Sequence, residues 1–189
     1  RESKETHRRY GLDNPRIEDF GRKCLITKRL LEQGVRFIQL YSGGGHIEDT
    51  WDGHTNCISN HELHAGETDQ PMAALMQDMK DQGLWDETLF VWGGEFGRTP
   101  VSENGNGRDH NPHAMTMFFA GAGIRPGIAH GSTDDHGYYA VENKVHMHDL
   151  HATILHLLGL DHEKLTYRYA GRDFRLTDVH GNVVHGILS

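Results

Sequence analysis

The sequence predicts an α/β protein built on a mostly parallel sheet flanked by helices. Three observations carry that prediction. Helix-period and strand-like apolar patterns alternate along the chain. The strand-like runs are short and apolar. Loops rich in Gly, Asp, Asn and His begin where those runs end, and an open α/β sheet collects its ligands at that rim.

The first helix is predicted from Pro15 to about residue 33, where Ile17, Phe20, Cys24, Leu25, Leu30 and Leu31 recur at helical spacing. Pro15 suits a first turn and Gly34 a C-terminal cap. "VRFIQLY" (35–41) alternates Val35, Phe37 and Leu40 with polar partners, mixed with Ile38, and reads as a strand. A long polar loop covers 42–65, and loops of that length in compact domains tend to be functional or disordered. The second helix is expected over about 69–82, with Met72, Leu75, Met76 and Met79 on one face and Gly83 ending it. "TLFVW" (88–92) is the next strand, 93–113 a polar loop, and "AMTMFFAGAG" (114–123) a further strand. A Gly/Pro turn at 123–127 and the turn-rich "HGSTDDHGYY" follow. The last clear helix spans about 148–158, with Leu150, Ile154, Leu157 and Leu158 at i, i+4, i+7 and i+8. The tail reads as short strands around a turn at 180–182. Loops 42–61, 93–113 and 124–137 are thus expected to converge on one rim.

Composition narrows the function. The 189 residues fit one domain and bury a sizeable core. No apolar run of about 18 residues exists, so no membrane span is expected. "RESKETHRRYG" lacks an initiating Met and reads as the middle of a longer chain. A net charge of -8 argues against a nucleic-acid partner. Two cysteines form no framework, and Cys24 sits in an apolar helical stretch as a buried thiol. The 16 histidines stand out: they crowd between 46 and 64 and between 110 and 162, close to acidic residues. Neutral imidazole is the commonest protein metal ligand.

The loop after the first strand carries "TWDGHTNCISNH", with Asp52, His54 and His61. A carboxylate oxygen and imidazole nitrogens on one cation suit zinc or another borderline divalent ion better than calcium. The same residues also read as an Asx turn beside solvated histidines. In "GGEFGRTP", Glu95 is a metal ligand at a strand end or simply the ion-pair partner of Arg98. Arg98 and Arg108 are candidate catalytic residues, able to hold an anionic oxyester through bidentate hydrogen bonds. Asp109 stands as an outer partner of His110 or of the arginines. "HMHDLHAT" (146–153) reads as structural, with Asp149 capping the helix. The set His130, Asp134, Asp135 and His136 reads as turn chemistry or a weaker cluster.

"CLITKRLLEQGVRFIQLY", "WDGH", "DETLFVWGGEFGRTP", "GRDHNP", "GAGIRPG" and "HDLHATILHLLGLD" occur in that order over essentially the whole chain. Together they resemble the domain-of-unknown-function 1501 family, common in planctomycetes and related to the sulfatase and alkaline phosphatase superfamily. The resemblance implies the C-terminal part of an alkaline-phosphatase-like, three-layer α/β/α domain. It implies metal ligation by Asp52 and His54, with His61 as an alternative, by His110 ahead of a strand, and by Glu95. Glu95-Phe96 stands where the superfamily has Asp-His, and Phe96 cannot ligate. The Asp and Thr of "DLHATILHLLG" are structural in the sulfatases that it resembles. The attacking hydroxyl and a further acidic ligand belong to a preceding part with no counterpart in residues 1–189. The implied activity is metal-dependent hydrolysis of phosphate or sulfate esters, the implied cofactor zinc, with manganese, calcium or magnesium as other candidates. The implied substrate is a small anionic ester, in one version carried on a carbohydrate, and the implied location periplasmic or extracytoplasmic. Two alternatives stand beside it: a degenerate relative that binds a metal or ligand without turnover, and a structural surface protein that binds no metal.

Overall fold

The computed structural model describes residues 2–43, 50–103 and 105–189. His46 and its neighbours in the predicted loop lie outside the described residues. The chain divides into two compact units. One comprises residues 1–85 with 101–109; the other comprises 86–100 with 110–189.

The first unit is helical. Helix α1 (Lys4–Arg9) starts where Ser3 accepts a hydrogen bond from the Thr6 N–H at 3.0 Å. Helix α2 (Glu18–Glu32) ends at Gly34, whose φ of 79° lets the Val35 N–H turn back to the Leu30 carbonyl at 3.0 Å. Helix α3 (Cys57–Asp81) packs along α2. The core joins Tyr10, Phe20, Cys24 and Leu25 to Leu75 and Met79. Asp78 is buried among them, at 4% exposure. It accepts the Tyr10 hydroxyl at 2.8 Å and pairs with Lys28 at 2.8 Å and with Arg9. Gly21 touches the Tyr10 carbonyl so closely that a Cβ would lie 2.1 Å from it, which lets α2 meet the end of α1.

The second unit holds four antiparallel two-stranded ladders among its described residues. Strand β1 (Leu89–Trp92) pairs with β4 (Phe118–Gly121), Val91 opposite Phe119. In the excursion between them, β2 (Gly97–Arg98) pairs with β3 (His110–Asn111). A Cβ on Gly97 would sit 1.8 Å from the Ala114 carbonyl, so only glycine allows this approach. Strand β5 (Ser132–Thr133) pairs with β6 (Ala140–Glu142). Helix α4 (Met147–Leu157) opens with a capping box of His146 and Asp149. Asp149 also accepts the Asn182 N–H at 2.7 Å, and Thr153 accepts the Val184 N–H at 2.9 Å. Both residues of the last helix therefore tie the C-terminal strap down. Strands β7 (Thr166–Tyr169) and β8 (Arg172–Arg175) form an exposed hairpin, its turn made by Ala170 and Gly171 at φ 46° and 83°.

The expected three-layer α/β/α architecture with a mostly parallel sheet is overturned. Among the described residues no ladder is parallel and no sheet exceeds two strands. A strand-like pattern makes a strand only when a neighbour completes its hydrogen bonds. "VRFIQLY" joins no ladder among the described residues, and Phe37 and Tyr41 stand 71% and 68% exposed. "TLFVW" does form a strand, but its partner arrives through a reversing excursion and runs antiparallel. The second helix begins at Cys57 rather than near residue 69, which converts residues 57–65 of the predicted loop 42–65 into helix. The strand expected over 114–123 contracts to Phe118–Gly121, and the tail reverses at 170–171.

Candidate metal centre

Two short segments of the first unit meet backbone to backbone. The Arg108 N–H donates to the Gly53 carbonyl at 2.9 Å, and the Cys57 N–H to the Asn106 carbonyl at 3.0 Å. Asn56 and Asn106 lock the same joint, with the Asn106 amide donating to Asn56 Oδ1 at 2.8 Å. Gly107 makes the approach possible: a Cβ there would lie 1.7 Å from the His54 carbonyl. This clasp sets "WDGH" against "GRD".

Inside the clasp, Asp52 Oδ1 lies 3.2 Å from His54 Nε2, and Asp109 Oδ1 lies 3.3 Å from His54 Nδ1. The other oxygen of Asp109 accepts the Glu103 N–H at 3.1 Å. Asp52 and His54 are half-buried. His110 follows Asp109 directly in the chain. One ligand atom each from Asp52, His54 and His110 lies within 4.8 Å of the others. Zinc holds oxygen and nitrogen ligands at about 2.0–2.2 Å, so neighbouring atoms of a tetrahedral shell stand about 3.3 Å apart. The Asp52–His54 separation is also that of an ordinary imidazole–carboxylate contact, so the gathering of three ligand atoms, not this one spacing, marks the site.

The remaining predicted site residues lie outside this group. Arg98 is the cross-strand partner of His110 in the β2–β3 ladder, and its guanidinium lies 5.7 Å from the centre of the Phe96 ring. Phe96 in turn packs against the His110 ring, with centroids 4.1 Å apart and planes tilted by 39°. Arg108 donates from its guanidinium to the Gly107 carbonyl at 2.6 Å. Glu95 is exposed and lies outside the three-residue group. His61 also lies outside it: its Nδ1 donates to the Cys57 carbonyl at 2.7 Å, with Cys57 Sγ at 3.1 Å, and its ring rests near Trp51. Asp134 accepts backbone N–H groups of His136, Tyr138 and Tyr139 as a turn residue. Those N–H groups, that of Tyr138 foremost, hold its pKa below the usual carboxylate value.

Sequence reasoning did not reveal the link between Asp109 and His54 or the part played by Gly107. The only signal was a glycine beside the acidic "RDH" run, and it does not say which backbone approaches.

The family model described as "Protein of unknown function (DUF1501)" matches residues 1–188. Neither the curated proteins nor the solved structures contain a match.

Proposed function

The chain belongs to the DUF1501 family, and from that premise and the Asp52–His54–His110 group we propose that it is a metal-dependent hydrolase of phosphate or sulfate esters. The observation that supports the reading best is the gathering of one ligand atom each from Asp52, His54 and His110 within 4.8 Å of one another. An oxygen and two imidazole nitrogens suit zinc first, and manganese, calcium or magnesium less well. Among the described residues Asp52, His54 and His110 would hold such an ion, three protein ligands being the number typical of a catalytic zinc site. A bound divalent ion supplies Lewis acidity toward an ester oxygen. Arg98, beside His110 in the ladder, and Arg108 supply guanidinium donors for the anionic group. The kinship with sulfatases and alkaline phosphatases implied by the sequence agrees with this chemistry. It extends the reading to a small anionic ester, in one version carbohydrate-borne, handled outside the cytoplasm.

A second reading has its own observation. Phe96 covers one face of His110 at 4.1 Å, an apolar contact where a second ligand is expected in an active relative. Under that reading the chain binds a cation without turnover.

The test combines elemental analysis with hydrolysis of p-nitrophenyl phosphate and p-nitrophenyl sulfate. Near-stoichiometric zinc, lost in an Asp52→Ala/His110→Ala variant, together with chelator-sensitive hydrolysis, is the expected result. Metal without hydrolysis supports the binding module. Absence of metal after incubation with zinc and manganese sinks both readings.

A further inference from the structure

Asp109 and Asp52 lie on opposite edges of one imidazole ring. Nε2 of His54 faces Asp52 at 3.2 Å, and Nδ1 faces Asp109 at 3.3 Å. A ligating imidazole offers a lone pair from one nitrogen and keeps its proton on the other. Which nitrogen is which depends on the partner of the protonated one. Resting on the metal reading above, we propose that Asp109 is a positioning residue that accepts the Nδ1–H of His54 and so presents Nε2 to the cation shared with Asp52.

Three features support the assignment. A cation close to Nε2 is on the far side of the ring from Asp109, so Asp109 cannot ligate the same ion without the ring turning over. The three ligand atoms within 4.8 Å of one another come from Asp52, His54 and His110, and Asp109 is outside that set. Asp109 is itself anchored, with its second oxygen on the Glu103 N–H at 3.1 Å and its neighbour Arg108 bonded to Gly53 at 2.9 Å. A carboxylate held on both sides is a fixed acceptor, and such outer partners also raise the basicity of the ligating ring. The consequence, among the described residues, is a ligand set of one carboxylate and two imidazoles, the donor balance of zinc rather than of magnesium or calcium.

The test is zinc titration by calorimetry on the 189-residue chain and its Asp109→Ala, Asp109→Asn and Asp52→Ala variants. Long-range proton–nitrogen NMR of the His54 ring in the zinc-loaded chain accompanies it. Asp109→Ala is expected to weaken zinc about 10- to 100-fold. Asp109→Asn, which keeps an accepting oxygen, should recover part of the loss and also guards against a simple folding defect. The NMR spectrum should show zinc on Nε2 and a proton on Nδ1. Unchanged affinity in Asp109→Ala, or zinc on Nδ1, overturns the positioning role while leaving the metal reading intact. A loss as complete as that of Asp52→Ala, with no recovery in Asp109→Asn, makes Asp109 a ligand and likewise overturns it. A wild-type chain that takes up no zinc removes the metal reading and this inference together.

Discussion

A carboxylate buried as deeply as Asp78 is tolerated because Tyr10, Lys28 and Arg9 all meet it. Burial pushes its pKa up, yet hydrogen bonds from Lys28 and Tyr10 and the charges of Lys28 and Arg9 outweigh this and hold it below the usual carboxylate range. A depressed folded-state pKa stabilises the fold above the unfolded value of about 3.9, and that stabilisation is lost as pH falls through the folded value. Asp78→Asn should therefore cost about 3 kcal/mol in urea unfolding at neutral pH, the scale of a broken buried pair. The gap to wild type should narrow in acid, and a gap that ignores pH would contradict the account. At the same scale, Asp52 and His54 were legible because polar ligand types in a short polar run carry their own signal, whereas His110 entered as a ligand through the family resemblance. His61 was not legible, because its fate depends on a backbone: at the fifth position of α3 its Nδ1 is taken by the Cys57 carbonyl one turn earlier. Nor did the sequence say whether Asp109 serves His110, its neighbour, or His54, a partner distant in sequence.

Helix α4 shows what one side chain does for an element. Asp149 accepts the His146 N–H that closes the capping box and the Asn182 N–H that anchors the strap. Burial raises its pKa, and these N–H groups lower it more, so the net direction is down. Asp149→Ala is expected to cost about 2 kcal/mol, a cap plus a lost tie, measured by thermal unfolding. Asp149→Asn should retain part of it, and an Ala variant as stable as wild type would show that the cap is idle. The sequence announced this helix through its leucines and its capping acid. It announced only the second half of α3, because the buried positions of the first half are His64 and Thr68, polar residues invisible to a hydrophobic period. Residues 35–41 fail in the opposite way: their alternation is strand-like, but a pattern within one segment does not specify its neighbour.

For the molecule as a whole, order should be unevenly distributed. Two-stranded sheets are marginally stable in water, whereas α2 and α3 share a buried apolar seam with a satisfied charge network. Hydrogen exchange should accordingly be slowest in residues 18–32 and 57–81 and fast in the hairpin 166–175, whose residues are almost all exposed. Comparable protection in the hairpin would mean that something in solution covers Tyr167 and Tyr169. The contact of Gly107 with the His54 carbonyl has a further consequence, in the order of events rather than in energy. Between those two residues the chain must travel the full length of α3 and return. Helical turns form from neighbours in sequence, but this contact closes a long loop and bears its entropy. The Asp52–His54–Asp109 arrangement therefore exists only once the first unit has closed, and a cation drawn to it rewards the finished topology rather than guiding the chain toward it.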